Sequence, residues 1–225
     1  MAETRDVLPV YVLADESGSM GPYEGDLSSG LNSLCEVLRA EPMVAATLRL
    51  AVLGFSDDVR VRLAVADIGH KTSLPRLEIR GLTSYKAVFE DLLARIPADV
   101  RRLRGEGYQV HRPVVFFLSD GQPTDKGAWR EPHGRLTDRA TTPTAPTVVA
   151  CGIGDAQAST MVEVATRPEL AFVARPEASI GQAVAELFHA LTASLAASSH
   201  ALGSGSPELV VNRPDQFSMA IEEAG

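Results

Sequence analysis

The sequence predicts an α/β fold with a doubly wound, mostly parallel, Rossmann-like sheet and one antiparallel edge strand. Three observations lead to this prediction. Five short segments are almost continuously apolar and rich in β-branched or aromatic residues, which is typical of strands covered on both faces. Segments with the apolar period of an amphipathic helix lie between them. One further segment alternates apolar and polar residues directly after an apolar run, which indicates a hairpin.

The strands are predicted from apolar composition. The five continuous strands are Pro9–Ala14, Leu48–Phe55, Pro113–Leu118, Thr147–Ile153 and Leu170–Ala174. The alternating segment Val59–Val65 follows the second of these after only three residues, so the chain must turn back on itself there. Because one face of this segment is polar, we expect it at an edge of the sheet.

The helices are predicted from the recurrence of apolar residues at every third or fourth position. They are Asp26–Ala40, Tyr85–Arg104, Ala158–Thr166 and Ser179–Ala197. The segment Gly121–Pro146 is polar and contains four prolines, which predicts a long loop with a helical turn or two. Strands that alternate with helices in this order are typical of a doubly wound sheet.

The composition Gly203-Ser204-Gly205-Ser206-Pro207 is typical of a linker. It predicts a domain over residues 1–202 and a linker with a C-terminal tail over residues 203–225. We expect the tail to be separable from the domain. Its apolar patch, Leu209-Val210-Val211, leaves a second arrangement open, in which the tail docks on the edge of the sheet or on a partner.

The charge balance excludes some classes of partner. The chain has 225 residues, with 21 Lys and Arg against 29 Asp and Glu, a formal net charge of −8. This acidity argues against binding to nucleic acid or to an anionic membrane. No apolar run reaches the length of about 18 residues that a membrane helix needs. The first twenty residues carry four acidic side chains and lack the apolar segment of a signal peptide, so we expect a cytoplasmic protein.

Two predicted strands are each followed by a carboxylate. Asp15 comes after the first strand, and Asp120 comes shortly after the strand Pro113–Leu118. Ligand sites in open α/β sheets lie beyond the carboxyl ends of the strands, where the strand order reverses. If these two strands flank that point, the two carboxylates converge. They then repel each other unless a cation or a proton lies between them.

Hydroxyl groups near the carboxylates favour a cation. Ser17 and Ser19 follow Asp15 at every second position, so the three side chains can point to one centre. Thr83 precedes the helix Tyr85–Arg104, so its loop faces the same crevice. Hydroxyl and carboxylate oxygens are hard ligands, which suit Mg²⁺, Mn²⁺ or Ca²⁺ better than zinc.

This set of residues resembles the metal-ion-dependent adhesion site of von Willebrand factor A (vWA) domains. The resemblance rests on Asp15-x-Ser17-x-Ser19, on Thr83 and on Asp120-Gly121, and it covers roughly residues 7–200. Within that superfamily, the stretches LPVYVLADESGSM and FLSDGQPTD and the loop around Trp129 are most similar to the cytosolic tellurium-resistance, TerY-like group.

The resemblance implies a role for each position. Ser17 and Ser19 would bind the metal directly, Thr83 directly or through water, and Asp15 and Asp120 through metal-bound waters. Mg²⁺ is the first expectation, with Mn²⁺ or Ca²⁺ as alternatives. One position on the metal would stay open for a Glu or Asp of a protein partner. The implied function is a non-enzymatic, metal-dependent protein-binding module, set in a bacterial stress-response or tellurite-resistance system.

Other interpretations stay open. An enzyme could use the same cation to polarise a phosphoryl oxygen, although the sequence offers no evident general base, nucleophile or phosphate-binding loop. The stretch Gly152-Ile153-Gly154 has Gln157 where a dinucleotide loop needs a small residue. A regulatory subunit of an ATPase or metal-chelatase-type assembly is a third possibility. At the level of single residues, Thr83 or Ser84 could simply cap the following helix.

Overall fold

Eight strands form one sheet in the computed structural model, which describes residues 5–68, 76–176, 179–203 and 209–224. The strands are β1 (Asp6–Asp15), β2 (Leu48–Phe55), β3 (Val59–Asp67), β4 (Gln109–Val110), β5 (Val114–Ser119), β6 (Thr147–Gly152), β7 (Ala171–Ala174) and β8 (Phe217–Met219). They lie in the order β3-β2-β1-β5-β6-β7-β8, and the short β4 pairs with the start of β1. Strands β2, β1, β5, β6 and β7 are parallel to one another.

Seven α-helices accompany the sheet in the described part of the chain. They are α1 (Glu24–Ala40), α2 (Pro42–Thr47), α3 (Tyr85–Gly105), α4 (Arg130–Thr137), α5 (Ala158–Val164), α6 (Ile180–Gly203) and α7 (Ala220–Glu223). Successive side chains of a strand point to opposite faces of the sheet. Phe116 of β5 therefore lies beside α6, whereas the neighbouring Phe117 packs against Tyr85 and Phe89 of α3. Both faces of the sheet are thus covered, as the continuous apolar strands predicted.

The predicted fold class is confirmed, and the five continuous strands and the hairpin lie within a few residues of their predicted bounds. The hairpin partner β3 is an antiparallel edge strand, with Arg60 exposed and Leu63 and Val65 buried as the alternation predicted. Val61, however, is exposed, and Arg62 turns inward to pair with Glu16. The segment predicted as a long loop, Gly121–Pro146, contains the two turns of α4. Among the described helices, none is long and apolar enough to cross a membrane.

The C-terminal tail packs against the rest of the molecule in residues 209–224. The Val210 amide donates to Ser198 Oγ of α6 at 3.0 Å, and the Asn212 amide donates to Ser194 Oγ at 2.9 Å. Strand β8 then pairs antiparallel with β7 and buries Phe217 completely. The contacts match the docked arrangement rather than the free tail, and they add a second antiparallel edge strand. Of the predicted linker 203–207, Gly203 is the last residue of α6 and residues 204–207 lie outside the described residues, and the domain division at residue 203 stays a prediction.

We expect Phe217→Leu to lower the free energy of unfolding by about 1–2 kcal/mol, because the smaller side chain leaves part of a fully buried site empty. Urea unfolding followed by circular dichroism measures this loss. Val61→Ala is the matched control, since Val61 is an exposed apolar residue on the opposite edge strand and its loss should change little. Equal stability of the two variants would show that the tail does not contribute to the core.

Candidate metal centre

The candidate site lies where the strand order of the sheet reverses, between β1 and β5. From β1 the chain proceeds to β2 on one side, and β5 to β7 lie on the other side. Asp15 is the last residue of β1. Ser119 is the last residue of β5, and Asp120 follows it directly. Since β1 and β5 are parallel, both carboxylates lie at the same edge of the sheet, as the sequence analysis expected.

Hydrogen bonds connect the two carboxylates through Ser17 and Ser19. The Ser17 amide donates to Asp15 Oδ1 at 2.8 Å, and the Ser17 and Ser19 hydroxyl oxygens lie 3.1 Å apart. Ser19 Oγ donates to Asp120 Oδ1 at 2.9 Å. A 3₁₀ turn over Gly18–Tyr23 follows, and it begins with the bond from the Met20 amide to the Ser17 carbonyl. Four of the five predicted residues thus form one contiguous cluster.

Thr83 reaches the same cluster from the loop before α3. A Cβ atom placed on Gly121 would lie 3.7 Å from Thr83 Oγ1 and 4.0 Å from Ser19 Oγ, so the two hydroxyls approach one point from different loops. Ser84 caps α3, because its Oγ accepts a hydrogen bond from the Ala87 amide. The alternative in which Thr83 caps the helix is therefore excluded. All five predicted residues are brought together, while their role as metal ligands stays a prediction.

The charges of the site fit a small divalent cation. Asp15 is fully buried, and burial raises its pKa to about 6, although hydrogen bonds from Ser119 and Ser17 act in the opposite direction. Burial also raises the pKa of Asp120, and the nearby Asp155 raises it further. A cation between the carboxylates would offset this cost of desolvation and repulsion. No three His, Cys, Asp or Glu side chains cluster for metal binding in the described residues, so any ion held here would rely on hydroxyl ligands.

Glu16, the residue between Asp15 and Ser17, is a part of the site that the sequence analysis missed. Its side chain points away from the hydroxyl cluster and is fully buried. Glu16 Oε1 accepts from Arg62 Nε at 2.7 Å, and Glu16 Oε2 accepts from Arg62 Nη2 at 2.9 Å and from Arg80 Nε at 3.0 Å. The alternation of side chains along β1 was the available signal, since it directs residue 16 opposite to residues 15 and 17.

The Glu16 network connects the loop that carries Thr83 to the loop that carries the serines. The Glu78 amide donates to Glu16 Oε1 at 3.1 Å, and the Arg80 amide donates to the Glu16 carbonyl at 2.6 Å. The Gly18 amide donates to the Gly81 carbonyl, and Gly81 has a φ of 53°, which favours glycine. A side chain at Gly54 would overlap the Glu16 carboxylate. The loop before Thr83 is therefore tied to Glu16 and Gly18, and Thr83 itself accepts from the Thr124 amide and hydroxyl through its carbonyl oxygen.

A groove of about 500 Å³ lies at the ends of β6 and β7, on the Asp120 side of the cluster. Its lining includes Tyr23, which ends the 3₁₀ turn, Asp155, which follows β6, and Arg175, which follows β7. Glu223 of α7 also lines it. The groove thus carries both signs of charge, and its Asp155 is close enough to Asp120 to raise the pKa of that carboxyl.

Comparison with solved structures relates the fold to a mussel protein and to bacterial proteins. The chain is 16% identical to proximal thread matrix protein 1 from the mussel byssus, with a TM-score of 0.59 over 86% of this chain and 49% of that one. One structure of that protein is described with a zinc-occupied MIDAS motif, the abbreviation for metal-ion-dependent adhesion site.

Two bacterial structures give similar values. The pilus adhesin SpaC from Lactobacillus rhamnosus GG is 15% identical, with a TM-score of 0.64 over 86% of this chain and 30% of that one. A von Willebrand factor type A protein from Catenulispora acidiphila is 14% identical, with a TM-score of 0.57 over 85% and 43%. The chain spans half or less of the length of these structures. No protein-family model and no curated protein sequence matches the chain. The likeness shows the vWA fold.

Proposed function

We propose that this chain, which has the vWA fold, is a divalent-metal-dependent protein-binding module. The observation that supports the proposal best is the convergence of three hydroxyls and two desolvated carboxylates from three separate loops. In this proposal Ser17, Ser19 and Thr83 hold the ion through hydroxyl oxygens, and Asp15 and Asp120 hold its bound waters. Mg²⁺ suits such hard oxygen ligands, and Mn²⁺ or Ca²⁺ are alternatives.

The proposed partner supplies a carboxylate. A bound divalent ion would provide a positive centre whose direct protein ligands are neutral, so an anionic side chain from outside is its natural complement. Asp15 and Asp120 keep the ion in place and orient its waters. The groove between Tyr23 and Arg175 would receive the chain on which the partner's acidic residue lies. The resemblance to the TerY-like group suggests a bacterial stress-response setting.

The test has two stages. Calorimetric titration with Mg²⁺ and Mn²⁺ establishes whether the isolated chain binds an ion. Affinity capture from the native host, in Mg²⁺ and again in EDTA, then identifies partners whose binding needs the ion. Partners that are retained equally in EDTA would contradict the proposal, and capture of an ATPase would favour the regulatory-subunit alternative.

We also propose that the module does not catalyse a reaction. The Ser17 and Ser19 hydroxyls contact each other, and Ser19 donates to Asp120, so both already belong to the cluster proposed to hold the ion. A phosphatase assay with p-nitrophenyl phosphate, run with Mg²⁺ and with EDTA, tests this directly. Metal-dependent turnover that is lost in Ser17→Ala would favour the enzymatic alternative.

Removal of the metal should lower stability without unfolding the chain. The sheet is covered on both faces by helices, so its core does not depend on an ion at one edge, unlike a zinc finger. Ligand linkage predicts that Mg²⁺ at about 100 times its Kd stabilises the native state by about 2.7 kcal/mol. Thermal melts in Mg²⁺ and in EDTA measure the difference. Loss of all cooperative unfolding in EDTA would contradict this expectation.

A further inference from the structure

We infer that the hydroxyls of Tyr85 and Ser119 form a buried relay that positions Asp15 for metal binding. The inference rests on the proposed function and adds two residues that lie outside the predicted ligand set. Both are positioning residues, since they act on Asp15 and do not contact the ion in this proposal. The geometry that supports the relay is a chain of hydrogen bonds between fully buried side chains.

Ser119 directs its single proton to Asp15. Its Oγ donates to Asp15 Oδ2 at 2.6 Å and is itself surrounded by two donors, the Tyr85 hydroxyl at 3.0 Å and the Gly121 amide at 3.2 Å. The Asp15 carboxylate can only accept, so the single proton of Ser119 points to Asp15 and its lone pairs face the Gly121 amide and the Tyr85 hydroxyl. The one proton of Tyr85 is shared between Ser119 Oγ and the Gly121 carbonyl oxygen. Asp15 Oδ1 is held by the Ser17 amide. Both oxygens of the Asp15 carboxylate are therefore fixed, and the carboxylate cannot rotate freely.

Tyr85 connects the relay to the other two loops of the site. Its hydroxyl also lies 3.0 Å from the Gly121 carbonyl oxygen, beside Asp120, and its backbone lies two residues after Thr83. The ring is held by edge-on contacts with Phe117 and Trp129, at centroid distances of 4.7 Å and 5.8 Å. One rigid side chain, two residues after Thr83, thus contacts both neighbours of Asp120 and reaches Asp15 through Ser119. Loss of its hydroxyl should loosen Ser119, and through Ser119 the Asp15 carboxylate.

The test compares Tyr85→Phe and Ser119→Ala with matched controls by electron paramagnetic resonance titration of Mn²⁺. We expect Mn²⁺ affinity to fall by several-fold in Tyr85→Phe and by about tenfold in Ser119→Ala, which is the scale of one hydrogen bond to a charged group or one outer-shell partner. Tyr11→Phe also removes a buried tyrosine hydroxyl that donates to a carboxylate, and Ser194→Ala removes a buried serine hydroxyl. Neither control lies at the site, so both should bind Mn²⁺ like the wild type even where they are less stable.

The outcomes separate a positioning role from a structural one. A structural role alone would lower the melting temperature of Tyr85→Phe and Tyr11→Phe alike and would leave Mn²⁺ affinity and the bound-Mn²⁺ spectrum unchanged, which would overturn the inference. The double variant should bind little more weakly than Ser119→Ala, because Tyr85 acts mainly through Ser119. Additive losses would contradict the relay. If Ser119→Ala does not fold, the Mn²⁺ affinity of Tyr85→Phe, compared with that of Tyr11→Phe, decides between the two roles. If the wild type binds no Mn²⁺, the proposed function and this inference both fall.

Discussion

Replacing Asp15 by alanine is expected to weaken Mg²⁺ binding by up to about 100-fold and to abolish metal-dependent partner binding, while the chain stays folded. Asp15 supplies one of the two negative charges that balance the ion, and it is the fully buried one, where its charge acts in a medium of low polarity. The strand it ends is held by β2 and β5 on both sides, so the fold does not depend on this side chain. Calorimetry of Mg²⁺ binding, with circular dichroism as the check on folding, measures the effect.

Two further variants sharpen this result. Asp99→Ala is the control variant. It removes a carboxylate that accepts a hydrogen bond from Tyr11, which lies in β1 four residues before Asp15, and we expect this variant to bind Mg²⁺ like the wild type. Thr83→Ala should weaken partner binding more than metal binding. The family resemblance implies that Thr83 binds the metal directly in one conformational state and through water in another, so it is the ligand whose contact with the metal changes between states. If a partner binds Asp15→Ala in EDTA as well as it binds the wild type in Mg²⁺, the metal site is not the interface.

Replacing Glu16 by alanine is expected to lower the free energy of unfolding by about 3–5 kcal/mol, the usual loss when one member of a buried ion pair is removed. Arg62 and Arg80 would keep their charges in a largely buried position and lose their shared carboxylate. The Glu78 amide would lose its acceptor as well. Because these contacts hold the loop before Thr83, Mg²⁺ affinity should fall together with stability. Urea denaturation and calorimetry on the same preparation test both effects.

Glu78→Ala is the matched control for Glu16. Glu78 also accepts hydrogen bonds from Arg62 and Arg60, but its side chain is 58% exposed, so water can replace it. We expect Glu78→Ala to retain nearly all of the stability that Glu16→Ala loses. Similar losses in the two variants would mean that burial of the Glu16 carboxylate does not determine its contribution.

The sequence predicted those strands and helices in which apolar residues recur at regular positions. The apolar runs and the alternation in Val59–Val65 were sufficient to predict β1, β2, β3, β5, β6 and β7, because each of these strands is long enough to show its pattern. Strand β8 has three residues and no pattern, and only its pairing with β7 makes it a strand. Its position depends on residues more than 40 positions away in the chain, which no local rule contains.

The candidate site also contains residues that could be predicted from local sequence and residues that could not. Asp15, Ser17, Ser19, Thr83 and Asp120 could be selected from residue type and from their place after predicted strands. Glu16 and Tyr85 could not be assigned a partner, because each acts through side chains on other elements. In the sequence, Glu16 occupies a variable position of the pattern Asp15-x-Ser17-x-Ser19, and Tyr85 is one more apolar residue at the start of a predicted helix. Their contribution emerges only once the sheet brings β3, β5 and α3 together.

The pairing of β8 with β7 also affects how the chain folds during synthesis. Until residue 219 has left the ribosome, β7 is an uncovered edge with free backbone groups beside apolar Phe172 and Val173. Such an edge is a template for pairing with another nascent chain. The edge at β7 must therefore wait for β8, and dilution or a chaperone during that interval should reduce aggregation. Faster translation of the residues between β7 and β8 would shorten the exposure of this edge.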